Sequence, residues 1–129
     1  MKHKKTIEHD VTFSHFIGSK GEQAAVSFLQ KEGFSILGRN YAVHNVGEID
    51  IIAEKEDDVY IFEVRTRLNI GTFPDSAESV MYSKRKKVIR TAERFLNELG
   101  MEDKNIVFEV IKVTHDKQGN ILRIDFVPF

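Results

Sequence analysis

The sequence predicts an α/β domain built on one mixed β-sheet flanked by helices. Two observations carry that expectation. Five stretches alternate apolar and polar residues with period two, and two longer stretches repeat apolar residues at three- and four-residue spacing. Their order along the chain is αβββαββ, with neither a repeat nor a linker between them. A length of 129 residues suits one domain closing a single core around one sheet.

The first helix is expected over residues 15–32, where Ile17, Ala24, Ala25, Phe28 and Leu29 share a face and Gly33 supplies a stop. Residues 1–14 are basic at the start and show no period; they read as an arm, leaving residues 15–129 as the domain. A strand follows over residues 34–43. His44-Asn45-Val46-Gly47 then turns the chain into a hairpin: Ile49, Ile51 and Ala53 form one apolar row, Tyr60, Phe62 and Val64 the other, around the acidic turn from Glu54 to Asp58. Residues 68–76, with Gly71 and Pro74, are a loop. The second helix is expected over residues 77–99, with Val80, Met81, Val88, Ala92, Phe95, Leu96 and Leu99 on one side and Gly100 after it. Residues 106–113 and 121–127 complete the sheet as a second hairpin.

Composition narrows the function classes. The chain has no cysteine, which excludes disulfides and thiolate zinc sites. No apolar run approaches a membrane span, and the basic start is not followed by the apolar stretch of a signal peptide, so a cytoplasmic protein with no membrane partner is expected. The five histidines have no ligand spacing. The net charge is −1, but its distribution is uneven. Between Arg65 and Arg94 there are eight basic residues (Arg65, Arg67, Lys84, Arg85, Lys86, Lys87, Arg90, Arg94) against three acids (Asp75, Glu78, Glu93). That local excess of about five positive charges suits a phosphate backbone; a merely solvated helix face is the alternative.

The hairpin carries the sharpest signal. If its apolar rows share a face, opposed residues have numbers with an odd sum, and a tight turn near position 56 sets Asp50 opposite Glu63 and Glu48 opposite Arg65. Like charges across an antiparallel pair cost roughly 0.2–1 kcal/mol. A hard divalent cation such as Mg²⁺ or Mn²⁺ turns that repulsion into binding. Asp50 and Glu63 are therefore candidate metal ligands. Glu48 either pairs with Arg65 or Arg67 or simply opens the strand. On sequence alone, Glu22 is a surface glutamate.

Gly47-Glu48-Ile49-Asp50 followed by Glu63-Val64-Arg65 resembles the acid…(Asp/Glu)-x-Lys constellation of restriction-endonuclease-like nucleases. With Gly21-Glu22 upstream, Arg39-Asn40 between, and Lys84 downstream, the chain resembles the YraN family, bacterial proteins similar to archaeal Holliday-junction resolvases. The resemblance implies a restriction-endonuclease-like fold from about Phe16 to the C-terminus. It also implies a metal held by Asp50, Glu63, Glu22 and the carbonyl of Val64, and a DNA partner; by analogy with the two-fold resolvases, it implies a homodimer. Two departures stand out. Arg65 replaces the pattern's Lys, and a protonated guanidinium orients phosphate but cannot act as a base. Val107-Phe108-Glu109 stands where Arg-Phe-Asp is more usual.

Two function classes follow. The first is a metal-dependent endonuclease acting on structured or branched DNA, with Asp50, Glu63, Glu22 and Arg65 catalytic and Lys84, Arg85, Lys87, Arg90 and Arg67 binding the nucleic acid. The second is a nucleic-acid-binding module that keeps the fold and has lost catalysis. A protein-interaction domain with a vestigial acidic site is a third, weaker class.

Overall fold

The computed structural model describes residues 2–70 and 82–129, and side chains of the first helix from residue 13 onward. Helix α1 (Lys2–Lys31) leads into strands β1 (Ser35–Val43), β2 (Gly47–Lys55) and β3 (Asp58–Leu68); α2 (Tyr82–Glu98), β4 (Asn105–His115) and β5 (Ile121–Pro128) follow. The order αβββαββ is the expected one. One five-stranded sheet runs β1-β2-β3-β4-β5 in space. All neighbours are antiparallel except β3 and β4, which pair in parallel from Asp58↔Asn105 to Leu68↔His115. The sheet is therefore mixed. Among the described residues no helix is long and apolar enough to cross a membrane.

Helix α1 starts at Lys2, not near His15, so the expected arm is helical backbone. Residues 2–17 contain neither Gly nor Pro, and nothing in that stretch breaks a helix even though no apolar period announces one. Its end is the expected one. Gly33 adopts φ 94°, Gly33 N–H donates to Gln30 O, and Phe34 N–H reaches back to Leu29 O, the paired bonds of a glycine-terminated helix. Gly100 ends α2 the same way, with bonds to Asn97 O and from Met101 N–H to Leu96 O. In α2, Val88, Ala92, Phe95 and Leu96 are buried, whereas Leu99 is exposed beyond the last turn. Val80, Met81 and most of the expected loop lie outside the described residues.

The two helices cover opposite faces. Ala25, Val26 and Leu29 of α1 pack on Ile51, Ala53, Phe62, Ile111 and Val113. Val88, Ala92, Phe95 and Leu96 of α2 pack on Ile49, Ile52, Val59 and Ile61. Ile49 thus leaves the row it was expected to share with Ile51 and Ala53. The neighbouring strand shows why: Asn40 adopts φ 50°, so Gly38 and Tyr41 both reach Phe95 on the α2 side. Through the register Gly38↔Ile52 and Tyr41↔Ile49, β2 shifts phase with it. Asp50 sits in the middle of this irregularity.

Two glycines bring the helices close to that point. A Cβ on Gly21 would overlap Thr66 Oγ1 and come within 3.2 Å of Thr66 Cβ, so only glycine lets α1 lie against β3 there. A Cβ on Gly47 would lie 2.9 Å from Thr91 Oγ1 and 3.2 Å from the backbone of Lys87, so only glycine lets the start of β2 tuck under α2. Each is followed by a glutamate. Gly21→Ala is expected to destabilise the fold by about 1–2 kcal/mol: overpacking costs about 1–3 kcal/mol, partly offset by up to about 1 kcal/mol of helix propensity. Thr66→Ala in that background should reverse the sign, and urea unfolding of the single and double variants checks both.

Candidate metal and nucleic-acid site

The β2–β3 ladder pairs Lys55↔Asp58 through Ile51↔Phe62 and goes no further. The odd-sum register is the expected one, but the pairs Asp50–Glu63 and Glu48–Arg65 lie past its end. There the strands part. The backbone N–H of Val64 donates to Asp50 Oδ2 at 2.8 Å, so a side-chain carboxylate replaces the next rung of the ladder. The predicted role of Val64 was its carbonyl; the contact seen here is its N–H.

Glu63 alternates with Ile61 and so faces the α2 side. It is only 4% exposed, and Lys84 Nζ of α2 lies 2.8 Å from its Oε2. A carboxylate with two oxygens keeps acceptor capacity after one such bond. From the other side, Gly21 delivers Glu22, whose Oε1 is buried and without a hydrogen-bond partner. Glu22 lines a cleft of about 430 Å³ with Ser14, His15, Gly18, Ser19, Arg39 and Asn40. The Gly-Glu and Arg-Asn dipeptides, far apart in sequence, meet at this cleft.

The electrostatics of the site centre on Asp50. Burial pushes its carboxyl up to about 6 from an ordinary 3.8, and the negative charges of Glu63 and Glu22 push the same way; the Val64 N–H and the Lys84 ammonium pull it down. Three carboxylates from α1, β2 and β3 are thus within electrostatic reach of one another. They do not form a ready-made cage: among the described residues no group of three Asp, Glu, His or Cys side chains is close enough to hold a metal. The donor set still fits a hard divalent cation, being all oxygen, with one buried Glu22 oxygen unpartnered.

Arg65 is half-buried on the same face as Glu63, and the parallel register sets it beside Lys112 of β4. Lys112, 8% exposed, was not singled out by the sequence. The only available signal was a lysine inside the apolar run Val110-Ile111-Lys112-Val113, which also reads as an ordinary strand face. Lys84, Lys87 and Arg90 are exposed on α2, and Arg67 is exposed near the end of β3, with its Nη1 donating to Thr66 O at 3.1 Å. Arg85 is half-buried, its Nε buried and unpartnered, so it is not on the open basic face. Lys84 and Lys87 line a cleft of about 320 Å³ with Gly47, Glu48, Ser83 and Val88. Glu48 is exposed there.

Residues 21–127 match the model of the uncharacterised protein family UPF0102, the YraN family. The chain belongs to this family. The matched span begins at Gly21 and includes Glu22, Asp50, Glu63, Arg65, Lys84 and Lys112, though not Ser14, His15, Gly18 and Ser19 of the cleft. A Dictyoglomus turgidum UPF0102 protein is 37% identical over 112 residues, covering 87% of this chain and 93% of the relative. A Clostridioides difficile UPF0102 protein is 42% identical over 96 residues, 74% of this chain and 82% of its own length. A third, from Clostridium perfringens, is 35% identical over 115 residues.

Proposed function

We propose that this UPF0102 protein is a cytoplasmic metal-dependent endonuclease acting on structured or branched DNA. The observation that supports the reading is the unpartnered buried oxygen of Glu22, within electrostatic reach of Asp50, on which Glu63 also acts. Carboxylates brought this close repel one another, and a hard cation turns that repulsion into binding. Asp50, Glu63 and Glu22 would hold Mg²⁺ or Mn²⁺. That ion supplies Lewis acidity and neutralises charge on the phosphate.

The chain's own residues do the rest. Arg65, permanently protonated, and Lys84 hold the non-bridging phosphate oxygens and stabilise the charge that grows on them. Water adds to phosphorus, one P–O ester bond breaks, and the leaving oxygen takes up a proton. Lys87, Arg90 and Arg67 carry the flanking backbone. The half-buried Arg85 contributes from behind that face.

The test uses wild type, Asp50→Ala and Arg65→Lys on duplex, single-stranded, flap and four-way-junction DNA, with Mg²⁺, Mn²⁺ or EDTA. Metal-dependent cleavage by wild type, absent in Asp50→Ala, is the expected result. Binding without cleavage by wild type, with cleavage gained in Arg65→Lys, would establish the degenerate binding module instead. No binding and no cleavage in all three would overturn a nucleic-acid role. Binding should also weaken with salt, with a log–log slope of about −0.9 for each duplex phosphate neutralised. Lys87→Glu with Arg90→Glu should flatten that slope.

A further inference from the structure

The three tyrosines are placed differently. Tyr41 packs edge-on against Phe95 with 4.9 Å between ring centroids, and Tyr60 does the same against Phe34 at 4.8 Å. Tyr82 is 70% exposed, and its printed neighbour is a cation: Lys86 Nζ lies over the ring, 4.8 Å from its centroid. A single exposed aromatic is ordinary on a protein surface. The setting of this one is not. Tyr82 opens α2, two residues before Lys84, whose ammonium meets Glu63. Lys86 and Arg90 follow it at steps of four residues, so the three line up along the helix. All three are exposed, on the side away from the buried Val88, Ala92 and Phe95. The ring thus heads a row of cations, at the end of the helix that reaches the carboxylates.

We propose that Tyr82 stacks on an unpaired base of the DNA, so that this protein selects a single-stranded or frayed segment over intact duplex. The inference rests on the nucleic-acid reading above and specifies the substrate of that site. A cationic track joined to an aromatic ring is the chemistry by which proteins hold single strands, because every base has a π-face to stack and every nucleotide a phosphate to neutralise. Lys86 covers one face of the ring, and with most of the residue exposed the other face meets solvent.

Duplex DNA offers such a ring little to bind. Its base faces are covered by the neighbouring pairs, and exposing one costs unstacking energy. At a flap, a fray or a branch that cost is already met, and the free face of Tyr82 takes the base while Lys86 and Arg90 hold the phosphates beside it. The basic row alone would favour any phosphate backbone, duplex included. Selectivity for unpaired DNA therefore falls to the ring. A Tyr82–Lys86 pair that merely supports the helix by a cation–π contact predicts no dependence on how the DNA is paired.

Fluorescence anisotropy on the full chain tests it, in EDTA so that cleavage plays no part. The probes are a labelled thymidine oligonucleotide, a blunt duplex of the same length, and that duplex carrying a single-stranded flap. Wild type should bind the oligonucleotide and the flap more tightly than the blunt duplex. Tyr82→Ala should lose about tenfold or more on the first two, the scale of one base stack, and little on the third. Tyr82→Phe keeps the ring and should keep the preference. The salt dependence of Tyr82→Ala should match that of wild type, since no charge has been removed. Tyr82→Trp places the only tryptophan in the chain at the contact, and its emission should be quenched by the oligonucleotide and the flap. The side chain is exposed, so these substitutions leave the core intact. A wild type without preference for unpaired DNA would overturn the proposal. So would a preference that survives in Tyr82→Ala, or tryptophan emission that does not respond at saturation. Preference for unpaired DNA without cleavage in the metal-dependent assay would remove the endonuclease and leave this inference standing. No binding to any probe would overturn the nucleic-acid reading, and this inference with it.

Discussion

Asp50→Asn is expected to give a protein that is more stable than wild type at neutral pH and inactive in metal-dependent cleavage. Asparagine keeps an oxygen for the Val64 N–H and removes the charge that Glu63 and Glu22 repel. The sign follows from linkage. A carboxyl raised from 3.8 to about 6 binds its proton more tightly in the folded state, so the Asp50 contribution to stability is greatest at acid pH. It falls as pH rises from about 4 through about 6 and is fully lost above that. At about 1.4 kcal/mol per unit, the cost at neutral pH is on the order of 3 kcal/mol. Urea unfolding of both proteins between pH 4 and 8 should show curves that converge in acid and separate above pH 6. Equal stability at pH 7.5 would mean that Asp50 is well compensated without a metal. Excess Mg²⁺ or Mn²⁺ should stabilise wild type and leave the variant unaffected.

Lys84→Ala should damage both stability and activity. Glu63 is nearly inaccessible, and Lys84 is the cation at 2.8 Å from it. Removing one partner of a fully buried ion pair costs about 3–5 kcal/mol. Lys84 is 53% exposed on its side chain, so water can approach from that side, and a loss of about 1–2 kcal/mol is expected. Glu63→Gln in the same background should recover part of it, since the stranded charge is then gone; a double-mutant cycle measures the coupling. Cleavage should fall by about a hundredfold or more, the scale on which loss of one transition-state charge stabiliser is felt. If stability falls while cleavage is unchanged, Lys84 is only a structural partner of Glu63.

The elements were legible because their signals are local. Alternation in Ile49–Ala53 and Tyr60–Val64, apolar spacing in the helices, and Gly33 and Gly100 at their ends depend on neighbours a few residues away. The hairpin register was legible too, since a tight turn leaves few alternatives. The start of α1 was not, because a helix of polar residues with no apolar stripe carries no periodic signal. The shift of Ile49 to the α2 face was hidden for another reason. It is set by Asn40 on a different strand, transmitted through the Gly38↔Ile52 and Tyr41↔Ile49 pairs.

By itself, the sequence determined that this chain is α/β with the order αβββαββ, that Asp50 and Glu63 fall at matching positions of one hairpin, and that basic residues collect on the second helix. Period, turn length and charge are written in the order of residues. Only the tertiary structure decided that the ladder opens at Asp50, that Lys84 crosses from α2 to Glu63, and that Glu22 comes in with a buried, unpartnered oxygen. Those facts depend on how closely two helices approach the sheet. That approach is set by pairs such as Gly21 with Thr66 and Gly47 with Lys87 and Thr91, whose members lie some forty residues apart and meet only when the core closes.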